Sequence, residues 1–360
     1  MQQEGSRIAP STDIPAELRA RERQPAGLHR LPQGPGGYLG PVSRDGVAAE
    51  PHDHIVNFYD KEHHLVDDVC QFLVAGLAAD EPVLVVATAD HRDSFAHHMH
   101  RSLDFQAASD AGQYVSFDAA ETLSKFMVEG RPDRKKFVEV IGALISELGC
   151  AGRPVRVYGE MVVLLWAAGN IVGAIQLERL WNELSREHTF VLYCAYPVDV
   201  LTGAGDLAGM HEVCVHHSMV VTPRSYGPRT DTDTLSEFDG EAVELYIPVP
   251  TSLGAVRSFV KDALTSWGKA AIIDDASMVV SELATNAIVH ANSPFRVSIT
   301  ATDTGVSVAV DDLSPDPPIL REPDTAATGG RGVLLVAALS SRWGVQTGPH
   351  GKRIWAEILG

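Results

Sequence analysis

The chain has 360 residues, 45 % of them hydrophobic, enough for two ordinary domains that each bury a core. Asp and Glu number 47 against 29 Lys and Arg, a formal charge of -18. This balance excludes a nucleic-acid surface, which needs a basic patch for the phosphates, and suits an acidic protein that meets basic partners.

Four cysteines, Cys70, Cys150, Cys194 and Cys214, lie far apart and form no C-x-x-C pair. They read as reduced thiols in a cytoplasmic protein. The N-terminal stretch lacks the apolar core of a signal peptide, and no run reaches the roughly 18 apolar residues of a membrane span. Neither a membrane nor direct nucleic-acid contact is expected.

Residues 1–50 are rich in Pro, Gly, Ala, Arg and Gln without a sustained period and read as a disordered tail. The block over 51–220 then alternates strands and helices. HIVNF (54–58) is a strand and Glu62–Ala79 a helix with Leu65, Val69, Phe72, Leu73 and Gly76 on one side. VLVVA (83–87) is a continuous β-branched run of the kind buried in parallel sheets. A helix over about 91–103, YVSF (114–117), a helix over 134–149, VRVYG (155–159), a mostly helical 160–187, FVLYCAY (190–196) and a helix near 206–217 follow. The alternation predicts a doubly wound α/β layer fold.

A polar stretch over 221–241 reads as a linker. In the second block, 242–360, the predicted elements are ELYIPV (244–249), a helix over Leu253–Trp267, a helix over Ile272–Ala291, and a hairpin of FRVSITA (295–301) and VSVAVD (306–311). A Pro-rich loop over 313–329, a helix from about Gly330 to Ser340, and the strands VQTG and RIWAEI complete it. This order implies an α/β sandwich with helices on one face of a mixed sheet.

The helix SELATNAIVHA stacks Glu282 and Asn286 one turn apart beside a buried stripe. A carboxylate beside an amide oxygen suits Mg²⁺, which takes one or two protein oxygens and completes its shell with water and nucleotide phosphates. A lone E-x-x-x-N is more often a solvated helix edge. Two further signals change the balance. Asp312 ends a strand, where a carboxylate can accept from an exocyclic amine. Thr328-Gly329-Gly330-Arg331-Gly332 precedes a helix, where backbone N–H groups can approach phosphate.

In this order the block resembles the GHKL ATPases, the Bergerat-fold family that includes histidine kinases. SELATNAIVHA, DDLSPDPP, GGRGVLLV and WGV…GKRIWAEI are more closely similar to the ATP-binding anti-sigma-factor serine kinases. The resemblance implies that Asn286 coordinates Mg²⁺, Glu282 acts as general base, Asp312 (rather than Asp311) binds the adenine amine, and Gly330 and Gly332 form the second glycine box with Arg331 open to a phosphate. It implies ATP and Mg²⁺ as cofactors. The implied reaction is phosphoryl transfer to a serine or threonine of a STAS-type anti-anti-sigma protein, with a sigma factor as the other partner. Anti-sigma relatives commonly form dimers, so a homodimer is an open expectation. The sequence departs from the broad pattern in D-L-S-P-D, where D-x-G-x-G is usual, and in Arg353, where a hydroxyl residue is common. A histidine kinase and a non-catalytic nucleotide-binding module remain as alternatives.

The first block resembles the MEDS sensory domain, related to RecA/KaiC-like folds, through HIVNFYDKEHHLVDDVCQFLVAGL, RVYGEMVVLLWAAGN, ERLWNEL and FVLYCAYP. No G-x-x-x-x-G-K-[ST] occurs, so nothing cradles phosphates there as a P-loop does. Tyr59, Glu160 and Glu178 are the candidate sensory-pocket residues. HEVCVHHS at 211–218 offers His211, Cys214 and His217, but steps of three drift around a helix and converge poorly on one ion.

Overall fold

The computed structural model describes residues 28–30, 49–100, 105–149, 152–198, 206–226, 240–318 and 332–360. The first domain is built on a seven-stranded sheet of order β1-β9-β2-β8-β7-β3-β4. Its strands are β1 (Leu28–Arg30), β2 (His54–Tyr59), β3 (Val83–Ala87), β4 (Tyr114–Asp118), β7 (Val155–Gly159), β8 (Phe190–Pro197) and β9 (Met219–Val221). All pair in parallel except β1, which lies antiparallel to β9. β1 falls within the stretch read as a disordered tail, and its pairing covers the β9 edge of the sheet.

Side-chain parity divides this sheet between two cores. Val56, Phe58, Leu84, Val86, Leu192, Cys194 and Tyr196 enter one apolar cluster. Ile55, Tyr59, Val83, Val85, Ala87, Val191, Tyr193 and Ala195 enter the other. The second core is covered by α1 (Glu62–Ala78), α2 (Ala89–Met99) and α3 (Phe105–Asp110). The first is covered by α5 to α8. Helix α5 runs Arg134–Phe137, passes through a π turn at Val138–Gly142 and ends as Ala143–Leu148. Helices α6 (Met161–Ala167), α7 (Ile171–Leu184) and α8 (Asp206–His216) follow. Short α4 (Ala119–Ser124) and a small hairpin, β5 (Met127–Val128) and β6 (Arg131–Pro132), lie between β4 and α5.

Local chemistry places the breaks. The stretch 160–187 is two helices because Gly169 takes φ +74° and the Asn170 side chain accepts from Gly173 N at 3.0 Å, capping α7. Asp118 and Asp133 cap α4 and α5 in the same way, each accepting at 2.9 Å from a backbone N–H three residues on.

The second domain has a five-stranded sheet of order β10-β11-β12-β14-β13. Its strands are β10 (Glu241–Tyr246), β11 (Phe295–Thr302), β12 (Gly305–Asp312), β13 (Arg342–Gly348) and β14 (Gly351–Leu359). Every pairing is antiparallel, which corrects the expected mixed sheet. The first strand begins three residues before ELYIPV and ends at Tyr246, two residues short of Pro248, which has no N–H to offer a ladder. Helices α9 (Ser252–Ser266), α10 (Ile273–Asn286, prolonged by a π turn over Ala287–Ala291) and α11 (Gly332–Leu339) cover one face.

The domains meet over apolar side chains. Leu245, Ile247 and Val249 join the first domain's core cluster, and Leu313 packs against it. Within the predicted linker, a 3-10 turn at Arg224–Tyr226 carries Tyr226 into the second core, where its hydroxyl donates to Leu245 O at 3.2 Å. Among the described residues no helix is long and apolar enough to cross a membrane, and Cys70, Cys194 and Cys214 are free thiols.

Gly351 opens β14 with φ +137°, and a Cβ there would overlap the Asp312 carbonyl oxygen. Gly351→Ala should destabilise the second domain by about 1–3 kcal/mol, read as a lower urea midpoint. An unchanged midpoint would contradict this packing.

Candidate functional site: the α10–α11 cleft of the second domain

Helix α10 presents Glu282 and Asn286 from its half-buried flank, while Val279, Val280, Leu283 and Ala284 fill the core. The π turn begins directly after Asn286 and ends at Asn292 in the left-handed region, φ 46°. Such turns break the regular helical ladder and recur beside functional residues. The Asn286 Nδ2 atom is buried and has no partner among the described residues. A buried amide with an unused donor has hydrogen-bonding capacity left over for a group outside the chain. His290, one turn on, is exposed.

Gly332, the first residue of α11, faces Glu282. A Cβ on Gly332 would lie 2.5 Å from Glu282 Oε2, so any other residue here would have to push the Glu282 carboxylate aside. Gly330 and Arg331, the other expected members of this box, lie outside the described residues.

Asp312 ends β12 on the helix-covered face, sharing parity with Val308 and Val310. Asp311 points to the opposite face, where it accepts from Arg353 at 2.8 Å; Arg353 also donates to Ser298. The strand alternation therefore favours Asp312 for any site under the helices. Asp312 is only 4 % exposed, and Lys352 Nζ and Ser314 N both donate to its Oδ1 at 2.9 Å. These two bonds leave Oδ2 for other contacts. Burial raises the Asp312 carboxyl above the usual range, and the Lys352 ammonium opposes that shift. Lys352 stands directly across the ladder from Asp312. It was not among the sequence candidates: it directly precedes RIWAEI, but its meeting with Asp312 depends on β14 lying beside β12, which local spacing does not carry.

The sensory-pocket candidates separate. Tyr59 and Glu160 lie at the carboxyl ends of β2 and β7, on the side of α1 and α2. Glu160 accepts from Thr88 N at 2.6 Å and pairs with His91 Nδ1, whose Nε2 donates to Glu62 at 2.7 Å. Tyr158, beside them on β7, has a fully buried hydroxyl with no partner among the described residues. Glu178 belongs to α7 on the opposite face, where it meets His54, Cys194 and His217. It cannot share a pocket with Tyr59 and Glu160, because the sheet lies between them.

Residues 53–217 match the family described as MEDS, the MEthanogen/methylotroph, DcmR Sensory domain. Residues 248–358 match the family described as the Histidine kinase-like ATPase domain. The chain joins a MEDS domain to a histidine kinase-like ATPase domain. No curated protein matches it significantly. The ATPase domain implies ATP binding, usually with Mg²⁺, and a kinase-like regulatory role beside a sensor. The residues under α10 and α11 fit that ligand in type: an orphaned buried amide, a carboxylate one turn away with a glycine against it, and a buried aspartate at the end of β12.

Hydrogen bonding to Glu160 raises His91 to about 9 against the burial that lowers it, with Glu62 adding to the rise. A histidine raised in the folded state contributes stability that is complete below its unfolded pKa of about 6.5 and is lost as pH rises through about 9. Discounted for solvent screening of this half-open pair, His91→Gln should therefore cost the MEDS domain about 1–2 kcal/mol at pH about 6 and far less at pH about 10, by urea unfolding. An equal cost at both pH values would disprove the pairing.

Proposed function

We propose that the protein is an ATP-dependent serine/threonine kinase of the anti-sigma type, with the MEDS domain as its sensor. Its substrate is a hydroxyl of a STAS-type anti-anti-sigma partner, and a sigma factor is the protein it releases or holds. The observation that carries this reading is the contact of Gly332 with Glu282 where α10 touches α11, with the unsatisfied Asn286 amide one turn further along α10. It is supported by the anti-sigma resemblance of the same segments.

In this reading Asn286 Oδ1 is the protein ligand of Mg²⁺, which when bound neutralises phosphate charge. Asp312 Oδ2 accepts from the adenine amine while Lys352 and Ser314 hold Oδ1. The α11 N-terminus, opened by Gly332, directs backbone N–H groups toward the phosphates. Glu282 takes the proton of the substrate hydroxyl as its oxygen bonds to the γ-phosphorus and the β–γ bridging bond breaks, leaving ADP and a phosphoserine or phosphothreonine. Leu313 adjoins Asp312 and packs on the MEDS core, which supplies a physical route from sensor to nucleotide.

Incubation of the full chain with γ-labelled ATP and a STAS protein tests the reading. Label on a partner serine or threonine supports it; stable label on the chain itself points to a histidine kinase, and no label to a nucleotide-dependent binding module. A general base contributes about 10²–10⁴ in rate, so Glu282→Ala should retain ATP binding and lose transfer by about that factor. Asn286→Ala should weaken Mg-ATP binding itself, seen as a raised Kd in calorimetry. Wild-type transfer by Glu282→Ala would remove the base assignment.

A further inference from the structure

The MEDS core holds four donor groups that the kinase reading does not use; one of them, Glu178, is a sensory-pocket candidate that the sheet separates from Tyr59 and Glu160. His54 opens β2, Glu178 lies mid-way along α7, Cys194 sits in β8, and His217 follows α8. All four are buried, and one ligand atom from each lies within 4.8 Å of all the others. His54 Nε2 is 3.4 Å from Cys194 Sγ and 3.3 Å from Glu178 Oε2. Glu178 Oε2 is 3.9 Å from Cys194 Sγ and 3.7 Å from His217 Nε2. A tetrahedral zinc ion, with bonds of about 2.0–2.1 Å to nitrogen and oxygen and about 2.3 Å to sulfur, separates its ligand atoms by about 3.3–3.6 Å. Four of the six separations therefore lie close to the edges of such a tetrahedron, and the other two are within 4.8 Å.

The outer partners point the same way. His217 Nδ1 donates to Val213 O at 2.6 Å, so the ring is the tautomer with a lone pair on Nε2. That Nε2 is fully buried, faces the cluster and has no partner among the described residues. His54 Nδ1 donates to Asn182 Oδ1 at 3.0 Å, and Asn182 is itself oriented by donating Nδ2 to His216 O at 2.8 Å. Tyr196 donates to Glu178 Oε1 at 2.7 Å, which leaves Oε2 turned inward. Each imidazole and the carboxylate is thus pinned through its non-facing atom, as outer-sphere groups pin metal ligands.

We propose that His54, Glu178, Cys194 and His217 form a closed, four-ligand zinc site within the MEDS domain. On loading, the Cys194 S–H bond breaks, a Zn–S bond forms and the thiol proton leaves to solvent. One thiolate and one carboxylate cancel the charge of Zn²⁺, so the buried site is neutral. With no position left for water, the ion is structural in type. It fastens β2, β8, α7 and the α8–β9 corner, the corner from which the chain leaves toward the second domain. The proposal does not depend on the kinase reading. The segment HEVCVHHS contributes only His217, just past the end of α8; its partners come from three other elements, and His211 and Cys214 stay outside the set.

The test uses the full chain, stripped with a chelator and titrated with cobalt(II). The expected result is one equivalent bound, with the intense visible bands of a tetrahedral ion and a near-ultraviolet thiolate-to-cobalt band. Cys194→Ser should remove the thiolate band, whereas Cys70→Ser and Cys214→Ser should keep it. Tyr196→Phe, a positioning change, should lower zinc affinity about 10–100-fold in a competition assay while keeping the bands. A folded, stripped chain that takes up no cobalt, or a thiolate band that survives Cys194→Ser, overturns the site. If stripping unfolds the chain, native mass spectrometry of the untreated protein decides: one zinc per chain supports the proposal, none overturns it.

Discussion

A parallel strand buried on both faces has no solvent side, so each residue's parity decides which core it enters. In the MEDS domain this rule governs both chemical clusters. His54 shares parity with Val56 and Phe58, and Cys194 with Leu192 and Tyr196, which turns both toward α7 and α8. Tyr59 and Tyr158 have the other parity and face α1 and α2, beside Glu160 and His91. A one-residue slip of β2 would exchange these assignments and bury the wrong groups against the wrong helices. Burial makes each cluster demanding, because an unpaired polar group inside such a core costs about 1–3 kcal/mol.

The same parity rule acts in the second domain with a different outcome. Its antiparallel sheet places Asp312 and Lys352 under the helices and Asp311 and Arg353 on the far face. A lysine and an aspartate buried together stabilise each other mainly by avoiding an unpaired charge, and they hold one carboxylate oxygen in a defined direction. The far face of this sheet is not left to solvent throughout. Leu245 turns into the MEDS core, and Ile247, Val249 and Leu313 add to the contact. Tyr226 crosses in the opposite sense, so the two cores interleave at the junction.

Much of this was legible in the sequence. VLVVA and VRVYG occupy the strands their composition implies, because valine and tyrosine favour the extended backbone over a helix. SELATNAIVHA forms the expected helix with its stripe of Val279, Val280, Leu283 and Ala284 inward. The π turn after Asn286, the division at Gly169–Asn170 and the 3-10 turn at Arg224 were not legible, since each is a local departure from a regular period. The strand at Leu28–Arg30 has no local signal at all; its partner in β9 lies far along the chain, Leu28 pairing with Val221 and Arg30 with Met219.

By itself the sequence determined the two-domain order, most element types and the placement of Glu282 and Asn286 one turn apart on one helix, because hydrophobic period and i, i+4 spacing are properties of neighbouring residues. Only the tertiary structure decided which distant residues meet: Gly332 with Glu282, Lys352 with Asp312, His91 with Glu160, and His217 with His54, Glu178 and Cys194. Those meetings depend on strand order and sheet face, which are set by the packing of whole layers and leave no trace in local spacing.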